Sequence, residues 1–192
     1  MAQQTQSETR TLSLSWTREP EAGGAGREDL TVTLGPSGCV AVGHVVLADP
    51  EPYDVYYRVE CDDGWRTRYV SVAETLRGRS LSMRSAGDGR WVSDDARMLP
   101  GLADVIDVDI SVTPFSNTLP VRRLSLAVGE SADIVTAYVD VALMRVSADP
   151  QRYRRIGPEV YRYESRDSDF VRDLRVDSDG FVLEYPGWFS RV

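Results

Sequence analysis

The chain is predicted to be an all-β protein: a many-stranded antiparallel sheet rolled into an open or partly closed barrel, a spiral β-roll, with at most one or two short helical segments. Three observations predict it. Apolar and polar residues alternate with period two along most of the 192 residues, the pattern of half-buried strands. Asp63-Gly64, Asp88-Gly89 and Asp179-Gly180 punctuate these runs with dipeptides that adopt the positive φ angles of tight hairpins, so the flanking strands should pair antiparallel. At least ten strand candidates occur in one chain of this length. So many strands must protect their edges by rolling or stacking the sheet, and a roll of this size can enclose more space than its own side chains fill.

Taken in order, residues 1–10 read as a flexible tail and 11–192 as a single β-roll domain. Leu12, Leu14 and Trp16 share one strand face, and Arg18–Glu28, rich in Glu, Gly and Ala, reads as a mobile loop. Strand patterns follow at Leu30, Val32 and Leu34; at Val40 and Val42, running on to Val45–Leu47; at Tyr53, Val55, Tyr57 and Val59; and at Arg79, Leu81 and Met83. In the second half they recur at Ile106–Val112, Ile134–Tyr138, Tyr161–Tyr163, Phe170–Val176 and Phe181–Tyr185. The best helical signal is Thr118 as a cap, Pro120 in the first turn, and Val121–Leu124 behind it.

Composition excludes several function classes. Apolar residues make up 42% and charged residues 27%, the balance of a folded soluble domain. Thirty acidic residues against 22 basic ones leave a net charge of −8, the wrong sign for a nucleic acid partner or for non-specific hold on an anionic membrane. No apolar run reaches the ~20 residues of a bilayer span, and the first residues lack a signal-peptide pattern. A cytoplasmic protein without a stable membrane anchor is therefore expected. All basic residues are Arg and none is Lys, so a cationic site here is a guanidinium fork suited to carboxylate or phosphate. Cys39, Cys61 and the single histidine, His44, are too few and too far apart for a zinc site. The cysteines are expected as free thiols, and His44, within an apolar strand, as a satisfied core or edge residue. No metal or other cofactor is expected.

The most distinctive stretch is DVDISVTPFSNTLPVRRLSL, residues 107–126. It holds two carboxylates two residues apart, a Thr-Pro-Phe turn, the only asparagine of the chain, Asn117, and the tandem Arg122 and Arg123. This stretch resembles the signature of the "putative glycolipid-binding" family of single-domain bacterial proteins, with Ser116 and Val121 in place of the family's usual Thr and Ile. Further pieces fall in the family's order: EDL at 28–30, YRVECDDGWRTRYVSV at 57–72, Trp91, QRY at 151–153, YRYES at 161–165 and VDSDGFVLEYPGWFSRV at 176–192. Val105 stands where the family often has a cysteine, which removes any cysteine role there. The resemblance implies a rolled antiparallel sheet with a groove for an amphipathic small molecule such as a glycolipid.

The candidate ligand-binding residues are Trp65, Arg66, Arg68, Tyr69, Asp107, Asp109, Asn117, Arg122 and Arg123. Asp107 and Asp109 should project from one face of a strand, ~6.5–7 Å apart by strand rise. They could divide acid and base work, bind a ligand, or form structural ion pairs with Arg66, Arg68 or Arg123. Trp65, Thr67 and Tyr69 share a face by alternation, an aromatic surface suited either to a sugar ring or to ordinary core packing. Arg122 and Arg123 could grip an anionic head group or anchor the loop that carries them, and Asn117 could close the turn that presents them. No residue is assigned a catalytic role. Three functions remain open at this point: a carrier of an amphipathic ligand, an enzyme acting on a glycoconjugate through Asp107 and Asp109, and a protein-interaction module.

Overall fold

A computed structural model describes residues 9–19, 24–48, 52–86 and 88–192. Among them fourteen strands form one sheet. In chain order these are β1 (Arg10–Arg18), β2 (Gly26–Gly35), β3 (Gly38–Leu47), β4 (Tyr53–Cys61), β5 (Thr67–Glu74), β6 (Arg79–Ser85), β7 (Trp91–Ser93), β8 (Asp107–Ile110), β9 (Ser131–Asp140), β10 (Arg145–Gly157), β11 (Val160–Ser165), β12 (Val171–Val176), β13 (Val182–Tyr185) and β14 (Phe189–Arg191). One α-helix, α1 (Phe115–Leu124), and a 3-10 turn at Pro100–Leu102 complete the regular elements.

The strand order is β7-β6-β5-β4-β3-β2-β1-β14-β13-β12-β11-β10-β9-β8. Two meanders are thus zipped together where β1 meets β14, with Trp16 opposite Arg191. The sheet does not close into a barrel. Its edges are β7 and β8, and β8 comes against β5 across the roll. The three Asp-Gly dipeptides lie where expected, in the β4–β5, β6–β7 and β12–β13 connections, and each of those pairs is antiparallel.

Rolling places α1 inside. Residues Phe115–Val121 of the helix are all buried, and the Phe115 ring stacks between Tyr57 of β4 and Phe181, with centroids 6.4 Å away on each side. Two indoles fasten the layers from within: Trp16 Nε1 donates to the Val182 carbonyl at 2.9 Å and Trp91 Nε1 to the Val105 carbonyl at 2.8 Å. A buried indole must find such an acceptor, so both rings contribute orientation as well as apolar area.

Several expectations need correction. The helix begins at Phe115, three residues before Thr118, which is buried within it. Its start is the Thr-Pro-Phe turn: the Phe115 N–H donates to the Thr113 hydroxyl at 3.0 Å and the Asn117 N–H to the Pro114 carbonyl at 3.1 Å, which satisfies amides that a helix N-terminus leaves open. The β8–β9 pair is parallel, unlike the rest. Parallel neighbours need a long crossover, and the segment holding α1 provides it. In β3 the inward residues are Cys39, Ala41, Gly43, Val45 and Leu47, while Val40 and Val42 face outward. Gly43 sits inward because a side chain there would collide with the Tyr57 ring, which lies 2.1 Å from where a Cβ would be.

In β5, a bulge at Arg68 puts Thr67 opposite Cys61 and Tyr69 opposite Glu60. The extra residue flips the alternation, so Thr67 is buried while Tyr69 is only partly covered. Trp65 precedes the strand, in a turn at φ 62°. Both ends of the predicted loop Arg18–Glu28 are strand, since Arg18 closes β1 and Gly26 opens β2; its residues 20–23, like residues 1–8 of the tail, lie outside the described residues, and Arg10 already pairs with Leu34. Strands β7, β10 and β14 gave no clear alternation. For β10 the reason is visible: an inward position is Gln151, a polar residue that interrupts the apolar face.

The cysteines are free and buried, register partners across β3 and β4. His44 lies on the outer face, with Nε2 2.7 Å from Asp54 Oδ1 and its ring stacked on Tyr56 at 4.2 Å.

Candidate functional site

At one end of the roll α1 does not fill the interior, and a cavity of about 610 Å³ opens there. Its volume lies within the ~300–1,000 Å³ of small-molecule sites. One side is aromatic. The rings run from the buried Tyr153 to the rim: Tyr153 to Tyr163 at 5.6 Å, Tyr163 to Phe170 at 5.9 Å, Phe170 to Trp188 at 5.1 Å, and Trp188 stacked on Tyr185 at 5.3 Å. They come from β10, β11 and β13 and from the segments just before β12 and β14. Leu47, Tyr53, Ile110, Val112 and Val141 add to the opposite lining.

The floor is polar. Asp109 of β8 and Asp149 of β10 both line the cavity, and both carboxylates accept from the same nitrogen, Gln151 Nε2, at 2.7 and 2.6 Å. Asn117 of α1, also lining the cavity, donates through Nδ2 to the Tyr153 hydroxyl at 2.8 Å. Burial pushes the Asp109 carboxyl up to about 6; the Gln151 and Ser116 hydrogen bonds oppose this, and the neighbouring Asp149 charge adds to it. Asp149 is raised as well, by burial first. The Tyr138 phenol is raised to about 12 by burial and by the charges of Asp109 and Asp140, and Tyr163 and Tyr185 move in the same direction. All three phenols therefore remain protonated and able to donate at neutral pH.

A second buried acid braces the rim. Glu28 of β2 is 1% exposed, and its Oε1 accepts from the Tyr57 hydroxyl at 2.5 Å and from the Thr113 hydroxyl at 2.7 Å. Thr113 lines the cavity and opens α1, so Glu28 holds the helix start against the β2–β4 wall. Desolvation raises its carboxyl to about 7 against the lowering effect of the two hydroxyls, and its Oε2 has no partner among the described residues.

Of the residues singled out from sequence, Asp109 and Asn117 line this cavity and the others do not. Asp107 and Asp109 alternate with buried Val108 and Ile110 but meet different fates. Asp107 is fully buried, and its carboxylate takes a forked hydrogen bond from Arg123, Nε at 2.8 Å and Nη2 at 2.5 Å. It is a structural ion pair, so the two aspartates do not form an acid–base couple. Arg122 donates to the Asp179 carbonyl at 2.5 Å and lies 4.5 Å over the Trp65 ring, anchoring the helix end to two turns. Gly180 lets it approach, with Arg122 Cδ 3.0 Å from where a Cβ would stand. The Arg66 N–H donates to Asp62 Oδ1 at 2.9 Å, and Arg68 reaches Asp62 Oδ2 at 3.9 Å. Tyr69 sits between Glu60 and Arg84 on the neighbouring strands. These residues gather beside the C-terminal end of β4, whereas Tyr53 at its other end lines the cavity.

Asp149, Gln151, Tyr163, Phe170, Tyr185 and Trp188 went unassigned in the sequence, and so did Glu28. All but Phe170 fall within the pieces DPQRY, YRYES, EYPGWF and EDL, and Phe170 opens the Phe170–Val176 strand pattern. The aromatic density of the last forty residues was the available signal. What it lacked was the pairing of β10 through β14 that brings those rings to one end.

Fold and site together define an all-β protein built on one open, rolled sheet with a ligand-sized cavity at one end. The chain belongs to the family described as "putative glycolipid-binding", whose model matches residues 13–191. It is also similar to the crystal structure of a DUF1089 family protein from Pseudomonas aeruginosa, at 32% identity and a TM-score of 0.76, over 86% of this chain and 92% of that one. Curated proteins gave no match. Among the described residues no helix is long and apolar enough to cross a membrane.

Proposed function

We propose that the protein binds an amphipathic ligand of the glycolipid type in the cavity between α1 and the β9–β14 half of the sheet. One observation carries this reading: an aromatic wall and a floor of carboxylates and amides share a single cavity of about 610 Å³. Sugar rings stack their C–H faces on aromatic rings while their hydroxyls bond to polar side chains. Asp109, Asp149 and Asn117 supply those partners, and Phe170, Trp188 and the aliphatic lining receive the start of an acyl chain.

Burial of each methylene contributes ~0.8 kcal/mol, a factor of about four in affinity. Titrating the protein with alkyl glucosides of increasing chain length, below their micelle concentrations, should give affinities that climb by about that factor per carbon until the cavity is full. Trp188→Ala and Phe170→Ala should weaken binding at every length. A wild-type protein that binds no alkyl glycoside refutes the reading, and so does affinity that is indifferent to both substitutions.

A further inference from the structure

The charge around the cavity narrows the chemistry of its ligand. We propose that the head group carries a cationic amine, as an amino sugar or an amine-headed lipid does; this rests on the reading that the cavity holds an amphipath.

Three carboxylates, Asp109, Asp140 and Asp149, line the cavity, and Arg18 is the one basic residue among the described lining residues. The Arg18 guanidinium lies 5.7 Å from the centroid of the Phe189 ring. Asp109 and Asp149 lean on a single amide. Gln151 Nε2 spends its two N–H groups on them, while its Oε1, on a side chain that is 0% exposed, has no partner among the described residues. Two like charges bridged by a neutral group gain from a cation placed between them, and an ammonium brings three donors to a floor dominated by acceptors.

The wall agrees with the floor. Ring faces are negative at the centre and attract cations, most strongly when water is excluded, and Tyr163, Phe170, Tyr185 and Trp188 surround the space in front of the carboxylates. The negative field reaches this wall, because the charges of Asp109 and Asp149 help raise the Tyr163 phenol. A phosphate or sulfate head would meet like charge on the floor and ring faces on the wall. Among the described residues no three His, Cys, Asp or Glu side chains converge as metal ligands, and the aromatic wall suits an organic cation.

The test compares octyl β-glucoside, its 2-amino-2-deoxy counterpart, octylammonium and octyl sulfate as ligands of the intact protein at neutral pH and low salt. The amino glucoside should bind at least about tenfold tighter than the glucoside, equal to about 1.4 kcal/mol, with the sulfate weakest. Asp109→Asn, Asp149→Asn and Asp140→Asn, each checked for native circular dichroism, should lower the ratio of amino-glucoside to glucoside affinity measured within the same variant. Octylammonium matching the amino glucoside places the amine directly on the chain; octylammonium falling behind it places the amine on a sugar. Equal affinity for glucoside and amino glucoside, or a preference unchanged in all three variants, overturns the amine inference and leaves the glycolipid reading standing. Failure of every probe, the neutral glucoside included, overturns both.

Discussion

Glu28→Gln should make the protein gain stability on wild type as pH rises. The carboxyl is raised from 4.5 to about 7 in the folded state, chiefly by desolvation. Between those two values the folded chain holds a proton that the unfolded chain has released, so stability falls as pH rises through the interval. A displacement of this size amounts to about 3 kcal/mol once both states are ionised. Glutamine removes that pH-dependent loss, and its carbonyl oxygen can accept from the Tyr57 and Thr113 hydroxyls as Glu28 Oε1 does; its amide nitrogen, in place of the unpartnered Oε2, adds a cost that does not vary with pH. Urea denaturation followed by tryptophan fluorescence provides the measurement. From below the unfolded-state pKa to above the folded-state pKa, the variant should gain about 3 kcal/mol relative to wild type. The raised carboxyl of Asp109 titrates identically in both proteins and cancels in the difference. A gap that is constant with pH, or a wild type that gains on the variant as pH rises, would refute a buried Glu28 that ionises only at cost.

Gly43→Ala should destabilise the fold by about 1–3 kcal/mol, because the new methyl group meets the Tyr57 ring inside contact distance; a thermal melt no lower than wild type would contradict the packing described for β3 and β4. Arg123→Ala should cost about 3–5 kcal/mol by leaving Asp107 charged, buried and unpaired. Removing both partners should cost less than the two single losses combined, so a double-mutant cycle showing simple additivity would deny the ion pair.

Much of the architecture was readable in advance, for physical reasons that act locally. Alternation and the three Asp-Gly turns require antiparallel hairpins whatever the rest of the chain does, and the number of strands forces the sheet to roll. Where the reading went astray, a nonlocal contact had overruled a local pattern. Gly43 faces inward where the Tyr57 ring leaves no room for a side chain, and Ala41 shares that face. One bulged residue, Arg68, turns Tyr69 away from the buried face.

The candidate site was less legible. The stretch 107–126 marked itself as unusual, and Asp109 and Asn117 from it do line the cavity. Asp107, two residues from Asp109 on the same strand face, is sealed against Arg123, a difference that spacing along the chain could not express.

The sequence by itself determined the kind of sheet, its hairpins and the residues able to bury, because those follow from period and turn chemistry within a few neighbours. Only the tertiary structure decided where space remains and which charges face it. Asp109 and Asp149 meet over the Gln151 amide because β8 pairs in parallel with β9, and β9 with β10. The aromatic wall exists because β10 to β14 stack side by side on the sheet. A cavity is a property of how distant segments fail to fill a volume, and no local pattern of residues encodes it.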